Sequence, residues 1–209
     1  MLQEPTSRQP FDAQALIDSI QAKMRRLADE FAAGEINREQ FYKIYEHYQA
    51  QINLAAGMLD HASTLPPEGL SSGETITIRK QWTAMAKAAA VYYHANGDLL
   101  ETIGEFDIPM GTLLEAFAEI AEHARQEGAA VPQTRHIGRE WLLFVPGKHS
   151  TVVMLFSAEP VNRQVAIVQN MHRDFEIAND AALTSGQTHA AKLVYPFLSF
   201  VRRSVGKRG

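Results

Sequence analysis

The hydrophobic pattern of this 209-residue chain changes on either side of a segment that is rich in proline and glycine. That segment, residues 63–75, holds two prolines and two glycines, which disfavour both a helix and a central strand. Apolar residues recur at helical spacing before it, whereas short apolar runs and turn residues follow it. We therefore predict a linker over 63–75, a helical domain over 1–62, a mixed domain over 76–183 and a tail over 184–209.

The N-terminal domain carries two apolar stripes that are typical of amphipathic helices. The first helix is predicted over residues 11–32, and Gly34 ends its apolar pattern. Asn37 opens the second helix, and Gln40 follows it at the position that completes a capping box. The short link between the stripes predicts an antiparallel helical hairpin. The stretch from Gly34, Gly-Glu-Ile-Asn-Arg-Glu-Gln-Phe, resembles short helical modules that are often attached to bacterial proteins.

The mixed domain alternates helical patterns with short runs that favour strands. Asn96 and Gly97 stand between two apolar runs, which is a strong signal for a β-hairpin because both residues tolerate positive φ. Pro146 and Gly147 mark a second turn of this kind. The predicted elements are, in chain order, a helix over 77–87, strands over 88–94 and 98–104, a helix over 109–127, strands over 134–138, 140–145 and 151–156, and a helix over 160–183. This order predicts an α+β fold in which a mainly antiparallel five-stranded sheet is flanked by helices.

Several motifs that often carry catalysis or metal binding are absent or misplaced in this chain. There is no cysteine, which excludes disulfides, thiolate metal sites and cysteine nucleophiles. Residues 69–73 match the G-x-S-x-G pattern of serine hydrolases, but the predicted linker lacks the strand and helix that this motif needs. Residues 29–40 match part of an EF-hand loop but have lost three of its principal side-chain ligands.

The eight histidines show no metal-binding pattern, because no two of them are four residues apart as in a helical zinc site. His94 and His136 fall on predicted strands and could approach each other, although a structural role is the simpler interpretation of each. Neither a phosphate-binding glycine–lysine loop nor a dinucleotide-binding fingerprint occurs. We therefore predict no catalytic residue, no cofactor and no metal site.

The chain has a net charge of −4, but its C-terminal tail is basic. Residues 184–209 contain five basic and no acidic residues, and the remainder of the chain is acidic. An acidic body disfavours specific nucleic-acid binding. The basic tail could contact an anionic membrane surface or a nucleic acid, or it could only increase solubility. The N-terminus lacks a signal-peptide pattern and no apolar run is long enough to span a bilayer, so we expect a cytoplasmic location.

Aromatic and basic side chains supply the candidates for contact with partners. Tyr45 and Tyr48 lie on the apolar stripe of the second predicted helix, where they suit either packing within the hairpin or a protein interface. The run 193–201 is strongly apolar, so we expect it to pack on its own domain, a second subunit or a partner. The candidates in the tail are Tyr195, Phe197, Phe200, Arg202, Arg203, Lys207 and Arg208.

Residues 89–103, Ala-Ala-Val-Tyr-Tyr-His-Ala-Asn-Gly-Asp-Leu-Leu-Glu-Thr-Ile, resemble the opening strand–turn–strand of the roadblock/dynein light chain family. The helix at 111–127, the three later strands and the closing helix continue this likeness over residues 76–183. The resemblance implies a profilin-like α/β fold. It also implies a non-enzymatic, dimeric module that binds small Ras-like GTPases or motor and signalling complexes. It transfers no site residues, because recognition in that family uses a surface.

A second interpretation of the mixed domain stays open. Sensor domains of the PAS and GAF kinds also combine such hairpins and helices, so the alternative is a small-molecule-sensing domain in bacterial signalling. We favour the protein-interaction or regulatory module, because the motifs of catalysis are missing and several helices have apolar faces.

Overall fold

A computed structural model describes residues 12–60, 73–127 and 131–197 of the chain. The chain forms two compact units, here called the helical unit and the sheet unit, which divide between Trp82 and Thr83. The linker predicted over 63–75 overlaps a helix at its C-terminal end. Its residues 63–72 lie outside the described part, and residues 73–75 belong to a helix of the helical unit.

The helical unit contains the predicted hairpin and one further helix. Its helices are α1 (Ala13–Ala32), α2 (Arg38–Asp60) and α3 (Gly73–Gln81). The predicted capping box of α2 is confirmed, because the Gln40 amide donates to Asn37 Oδ1 at 2.8 Å and the Asn37 amide donates to Gln40 Oε1 at 3.0 Å. Leu27, Ile36 and Ile44 form a buried core.

The position of α3 corrects the predicted helix over 77–87, because α3 begins earlier and ends at Gln81. Polar side chains at the start of α2 explain why α3 ends at Gln81. The Gln40 side chain donates to the Arg79 carbonyl at 2.8 Å, and the Asn37 side chain donates to the Trp82 carbonyl at 2.9 Å. These bonds satisfy carbonyls that a helix leaves unpaired at its C-terminus, so the chain can leave the helix there.

The sheet unit contains one antiparallel sheet with the strand order β2-β1-β5-β4-β3. Its elements are β1 (Ala86–Tyr93), β2 (Leu99–Gly104), α4 (Met110–Glu127), β3 (Gln133–Ile137), β4 (Glu140–Pro146), β5 (Ser150–Phe156), α5 (Asn162–Ala178) and α6 (Asp180–Thr184). The predicted α+β fold with a five-stranded sheet flanked by helices is confirmed. Gly97 has a φ of 76° in the turn between β1 and β2, as its sequence context predicted.

Each face of the sheet packs against a different layer of helix. Side chains alternate along β1, so that one set faces α4 and the other faces α5. The buried residues on the α4 side are Ala88, Ala90, Tyr92, Leu113, Ala116, Ile120, Leu142, Phe144, Val153 and Leu155. The α5 side includes Ala89, Val91, Tyr93, Leu143, Met154, Phe156, Val168, Phe175 and Leu183. The central strand β5 is therefore buried on both faces.

The predicted helix over 160–183 is interrupted at Asn179, which separates α5 from α6. The Asn179 side chain donates to the Phe175 carbonyl at 2.7 Å and to the Val194 carbonyl at 2.9 Å. Its Oδ1 atom accepts from the Val194 amide at 3.0 Å. The apolar stripe does not reveal this break, because the break serves a contact with a segment much later in the chain.

The described part of the tail packs on the sheet unit, which is the first of the three expected outcomes. Leu193, Tyr195 and Phe197 are buried in the core on the α5 side. The Tyr195 hydroxyl lies 3.5 Å from the Leu100 carbonyl. Burial raises the pKa of Tyr195 to about 12, and the nearby Glu101 carboxylate adds to this effect.

Candidate functional site

Strand β3 lies at one end of the sheet, so one of its edges has no partner strand within the described residues. An unpaired strand edge presents amide and carbonyl groups that can pair with another chain. A surface groove of about 650 Å³ runs beside this strand. Its walls are Ala118, Glu119, Glu122, Val131, Pro132, Gln133 and Arg135. Arg135 of β3 also forms an ion pair with Glu119 of α4.

Helix α4 presents large apolar side chains on the stripe that leads to this groove. Met110 and Leu114 are 55% and 60% exposed, and Ala118 continues their four-residue spacing into the groove wall. Val131 beside β3 is also exposed. We call this surface, formed by Met110, Leu114, Ala118, Val131 and the open edge of β3, the β3–α4 face.

A second cluster joins the β4–β5 turn to α5 through the carboxylate of Glu176. Glu176 Oε2 accepts from the Lys148 amide at 2.8 Å. Its Oε1 atom accepts from the His149 amide at 2.8 Å, from the Ser150 amide at 2.9 Å and from the Ser150 hydroxyl at 3.0 Å. Three successive backbone amides are thus directed at one carboxylate, which is an arrangement that binds anions.

The same serine also contacts a buried histidine of α5. Ser150 Oγ lies 2.9 Å from His172 Nε2, and both residues are almost fully buried. Because the hydroxyl proton is donated to Glu176, the Ser150 oxygen is free to accept a hydrogen bond from His172 Nε2–H. A serine nucleophile needs the opposite arrangement, in which the imidazole accepts the serine proton. This cluster therefore stabilises the turn and does not have the geometry of an activated nucleophile.

The protein environment shifts the pKa values of both His172 and Glu176. Burial lowers the pKa of His172 to about 4, although the Glu176 carboxylate acts in the opposite direction. Burial acts to raise the pKa of Glu176, but the His149 and Lys148 amides, His172 and Ser150 together hold that pKa below its ordinary value. Near neutral pH the cluster therefore combines a neutral imidazole with an ionised carboxylate.

Two further histidines lie near this cluster. His94 Nε2 is 2.8 Å from Thr151 Oγ1, and burial lowers the pKa of His94. His149 Nε2 is 3.5 Å from Asp180 Oδ1. Within residues 12–60, 73–127 and 131–197, no group of three or more histidines and carboxylates has an arrangement that could hold a metal ion.

The structure does not bring His94 and His136 together as neighbours. His136 lies on β3, where its ring is 5.0 Å from that of Trp141, whereas β5 and β4 separate β1 from β3. The sequence prediction missed the cluster of His94, His149, Ser150, His172 and Glu176. The available signal was the four-residue spacing of His172 and Glu176, which places both side chains on one face of a helix.

The predicted contact residues have different placements. Tyr45 is 41% exposed and stacks on Phe41 with ring centroids 5.7 Å apart, while Tyr48 is half-buried beside the core of the hairpin. Tyr195 and Phe197 are buried within the sheet unit, so they offer little surface to a partner. The remaining candidates lie outside the described residues, and these are Phe200, Arg202, Arg203, Lys207 and Arg208.

No protein-family model matches this chain, and no curated protein is significantly similar to it. The resemblance of residues 76–183 to the roadblock/dynein light chain family therefore stays a prediction. In the part of the chain that the structure describes, no helix combines the length and the apolar character that crossing a membrane requires.

Proposed function

We propose that this chain is a non-enzymatic, dimeric interaction module, and that a small Ras-like GTPase or another signalling protein is its partner. The observation that supports the dimer most strongly is the exposed apolar stripe of α4 beside the open edge of β3. A cytoplasmic location, which the absence of cysteine favours, is part of the proposal.

The β3–α4 face suits contact with a second copy of the chain. A twofold axis at the strand edge would pair β3 with β3 in the antiparallel direction and extend the sheet across both copies. The same contact would cover Leu114 and Met110 of each copy. Burying the exposed part of one leucine contributes about 1–2 kcal/mol. Burial of Leu114 in both copies therefore contributes favourably to the free energy of association.

The dimer is tested by measuring the molar mass of the chain by light scattering at micromolar concentration. We expect a dimer for the wild type and a monomer for Leu114→Glu, because the substitution places two charges at the centre of the contact. Ile177→Glu is the matched control, since Ile177 is 69% exposed on α5, in the other helix layer. A monomeric wild type, or equal effects of the two substitutions, contradicts the proposed face.

The GTPase partner is supported by the element order that resembles the roadblock/dynein light chain family. It is tested separately, by titrating the dimer with purified small GTPases loaded with GDP or with a GTP analogue. Saturable binding that prefers one nucleotide state supports the partner. A dimer that binds no member of the panel removes the GTPase from the proposal and leaves the self-association intact.

A cleft near Glu176 is the observation that favours the alternative, a small-molecule-sensing domain. It encloses about 240 Å³. Its walls are Pro132, Val145, Pro146, Gly147, Gln169, His172, Arg173 and Glu176. Native mass spectrometry of the purified chain tests this function. A retained small molecule that stabilises the chain, and that Arg173→Ala releases, would favour sensing over protein interaction.

A further inference from the structure

His172 joins two parts of the sheet unit that are distant in sequence. Its Nε2 atom contacts Ser150 at the β4–β5 turn. Its ring lies against two phenyl rings, with centroids 6.3 Å from Phe175 and 6.4 Å from Phe197. Phe175 in turn stacks on Tyr195 at 5.4 Å. One buried imidazole thus contacts both the turn and the C-terminal segment, which we define as residues 193–197.

Polar and apolar contacts both hold the C-terminal segment on the sheet unit. Asn179 makes two hydrogen bonds with the backbone of Val194, and the Tyr195 hydroxyl reaches the Leu100 carbonyl at 3.5 Å. Leu193, Tyr195 and Phe197 contribute apolar contacts within the core. A charge placed among these rings would weaken the attachment of the whole segment.

We propose that His172, which Ser150 and Glu176 position, forms an acid-sensitive latch that holds the C-terminal segment on α5 and releases this segment when the imidazole is protonated. At neutral pH the uncharged ring packs among the phenyl groups and donates to Ser150. A protonated ring must either remain charged among the phenyl rings or turn toward the cleft that His172 shares with Gln169 and Arg173. Either outcome weakens its packing against Phe197.

The charged groups around His172 set the direction of this response. Glu176 on the same helix favours the protonated ring, while His94 at the end of β1 opposes it when His94 is itself protonated. Lys148 and His149 of the turn both lie near Asp180 of α6, within 3.7 Å of its Oδ1 atom. In the C-terminal segment, Tyr195 is uncharged over this pH range, and burial raises its pKa further, to about 12. Burial is the largest influence on the pKa of His172 and lowers it, which means that the folded site disfavours the protonated ring. Acid therefore favours release of the C-terminal segment.

Hydrogen exchange of the full chain at pH 7.5 and pH 5 tests the latch, after correction for the intrinsic exchange rates. If the ring titrates at about 4 when closed and at about 6.5 when open, the opening constant of residues 193–197 rises about 25-fold between these pH values. Amides 148–150 should stay protected at pH 5, because they donate to the Glu176 carboxylate, whose lowered pKa keeps it ionised at that pH. An increase of less than about threefold at residues 193–197 overturns the proposal.

His172→Gln keeps a donor toward Ser150 but cannot be protonated, so we expect it to remove most of the pH dependence at residues 193–197. His136→Gln is the matched control on the exposed surface of β3, and it should respond as the wild type does. The same response in His172→Gln as in the wild type overturns the latch.

A measurement on the wild type keeps the proposal testable if His172→Gln does not fold. Nuclear magnetic resonance of the His172 ring should show a midpoint near pH 4, and the protection of residues 193–197 should fall as the pH decreases from 6.5 toward that midpoint. A midpoint near 6.5 in the folded chain, with no change in the segment, contradicts the latch.

Discussion

The carboxylate of Glu176 lies 2.6 Å from the place where a Cβ atom on Gly147 would stand. Glu176 cannot move away without cost, because the same carboxylate accepts hydrogen bonds from Lys148, His149 and Ser150. Glycine at position 147 is thus what allows the turn to approach α5 closely enough for the amides to reach the carboxylate.

We expect Gly147→Ala to lower the free energy of unfolding by about 2 kcal/mol, because the added methyl group displaces a carboxylate that holds several hydrogen bonds. Urea denaturation of the full chain measures this. Gly111→Ala is the control, since no atom lies within 4 Å of its added Cβ and alanine favours the helix. Equal stability of Gly147→Ala and the wild type would show that Glu176 moves without losing its partners.

Acid should destabilise the wild type before the ordinary carboxyl range is reached. The pKa of His172 is about 4 in the folded chain and near 6.5 when unfolded, so the unfolded state binds more protons between these values. The contribution of His172 to the free energy of unfolding is therefore fully present above pH 6.5. It decreases by roughly 3 kcal/mol as the pH falls toward 4. Glu176, whose pKa is lowered, adds a further loss below its unfolded value.

This pH dependence is measured by urea denaturation at closely spaced pH values. In His172→Gln the fall between pH 6.5 and 4 should be much smaller, while the loss that comes from Glu176 at lower pH remains. An unchanged slope in that variant would assign the acid sensitivity to another group.

Asn179→Ala should detach the C-terminal segment without removing an apolar contact. The substitution leaves the Val194 amide and carbonyl without the partner they now have, at a cost of about 1–3 kcal/mol. Hydrogen exchange should show faster opening at residues 193–197 than in the sheet. Asn170→Ala, on the exposed surface of α5, is the control, and a similar effect of both substitutions would refute the role of Asn179.

Asn37→Ala should destabilise the helical unit by about 1–2 kcal/mol, because it removes an N-cap acceptor. It also removes the bond to the Trp82 carbonyl, so α3 should lose helicity at its end. Circular dichroism during thermal unfolding measures both effects. Asn53→Ala, at an exposed position within α2, is the control and should leave the melting temperature nearly unchanged.

The elements that local chemistry determines could be predicted from the sequence. Asn37 and Gln40 determine where α2 begins, and Gly97 with its positive φ marks the first hairpin. The element boundaries that depend on contacts between distant parts of the chain could not be predicted from the sequence. The end of α3 depends on Gln40 and Asn37, and the interruption at Asn179 depends on Val194.

The candidate sites also depend on contacts between distant parts of the chain, which the sequence did not predict. The polar cluster joins Ser150 to His172 and Glu176 across two elements, and no local pattern states that a strand and a helix meet there. Leu113 and Leu114 are adjacent apolar residues of α4, and the sequence does not indicate which of them is exposed. Only the packed sheet shows that Leu113 is buried while its neighbour faces outward.

The central position of β5 has a consequence for synthesis on the ribosome. β1 pairs with both β2 and β5, and α4, β3 and β4 are all translated before β5. A nascent chain that ends before β5 has β1 with an open side and both cores without their middle strand. Such long-range pairing slows folding, and the exposed strand edges favour aggregation. The sheet unit is thus expected to gain its stability in one late step, once β5, α5 and the segment 193–197 have left the exit tunnel.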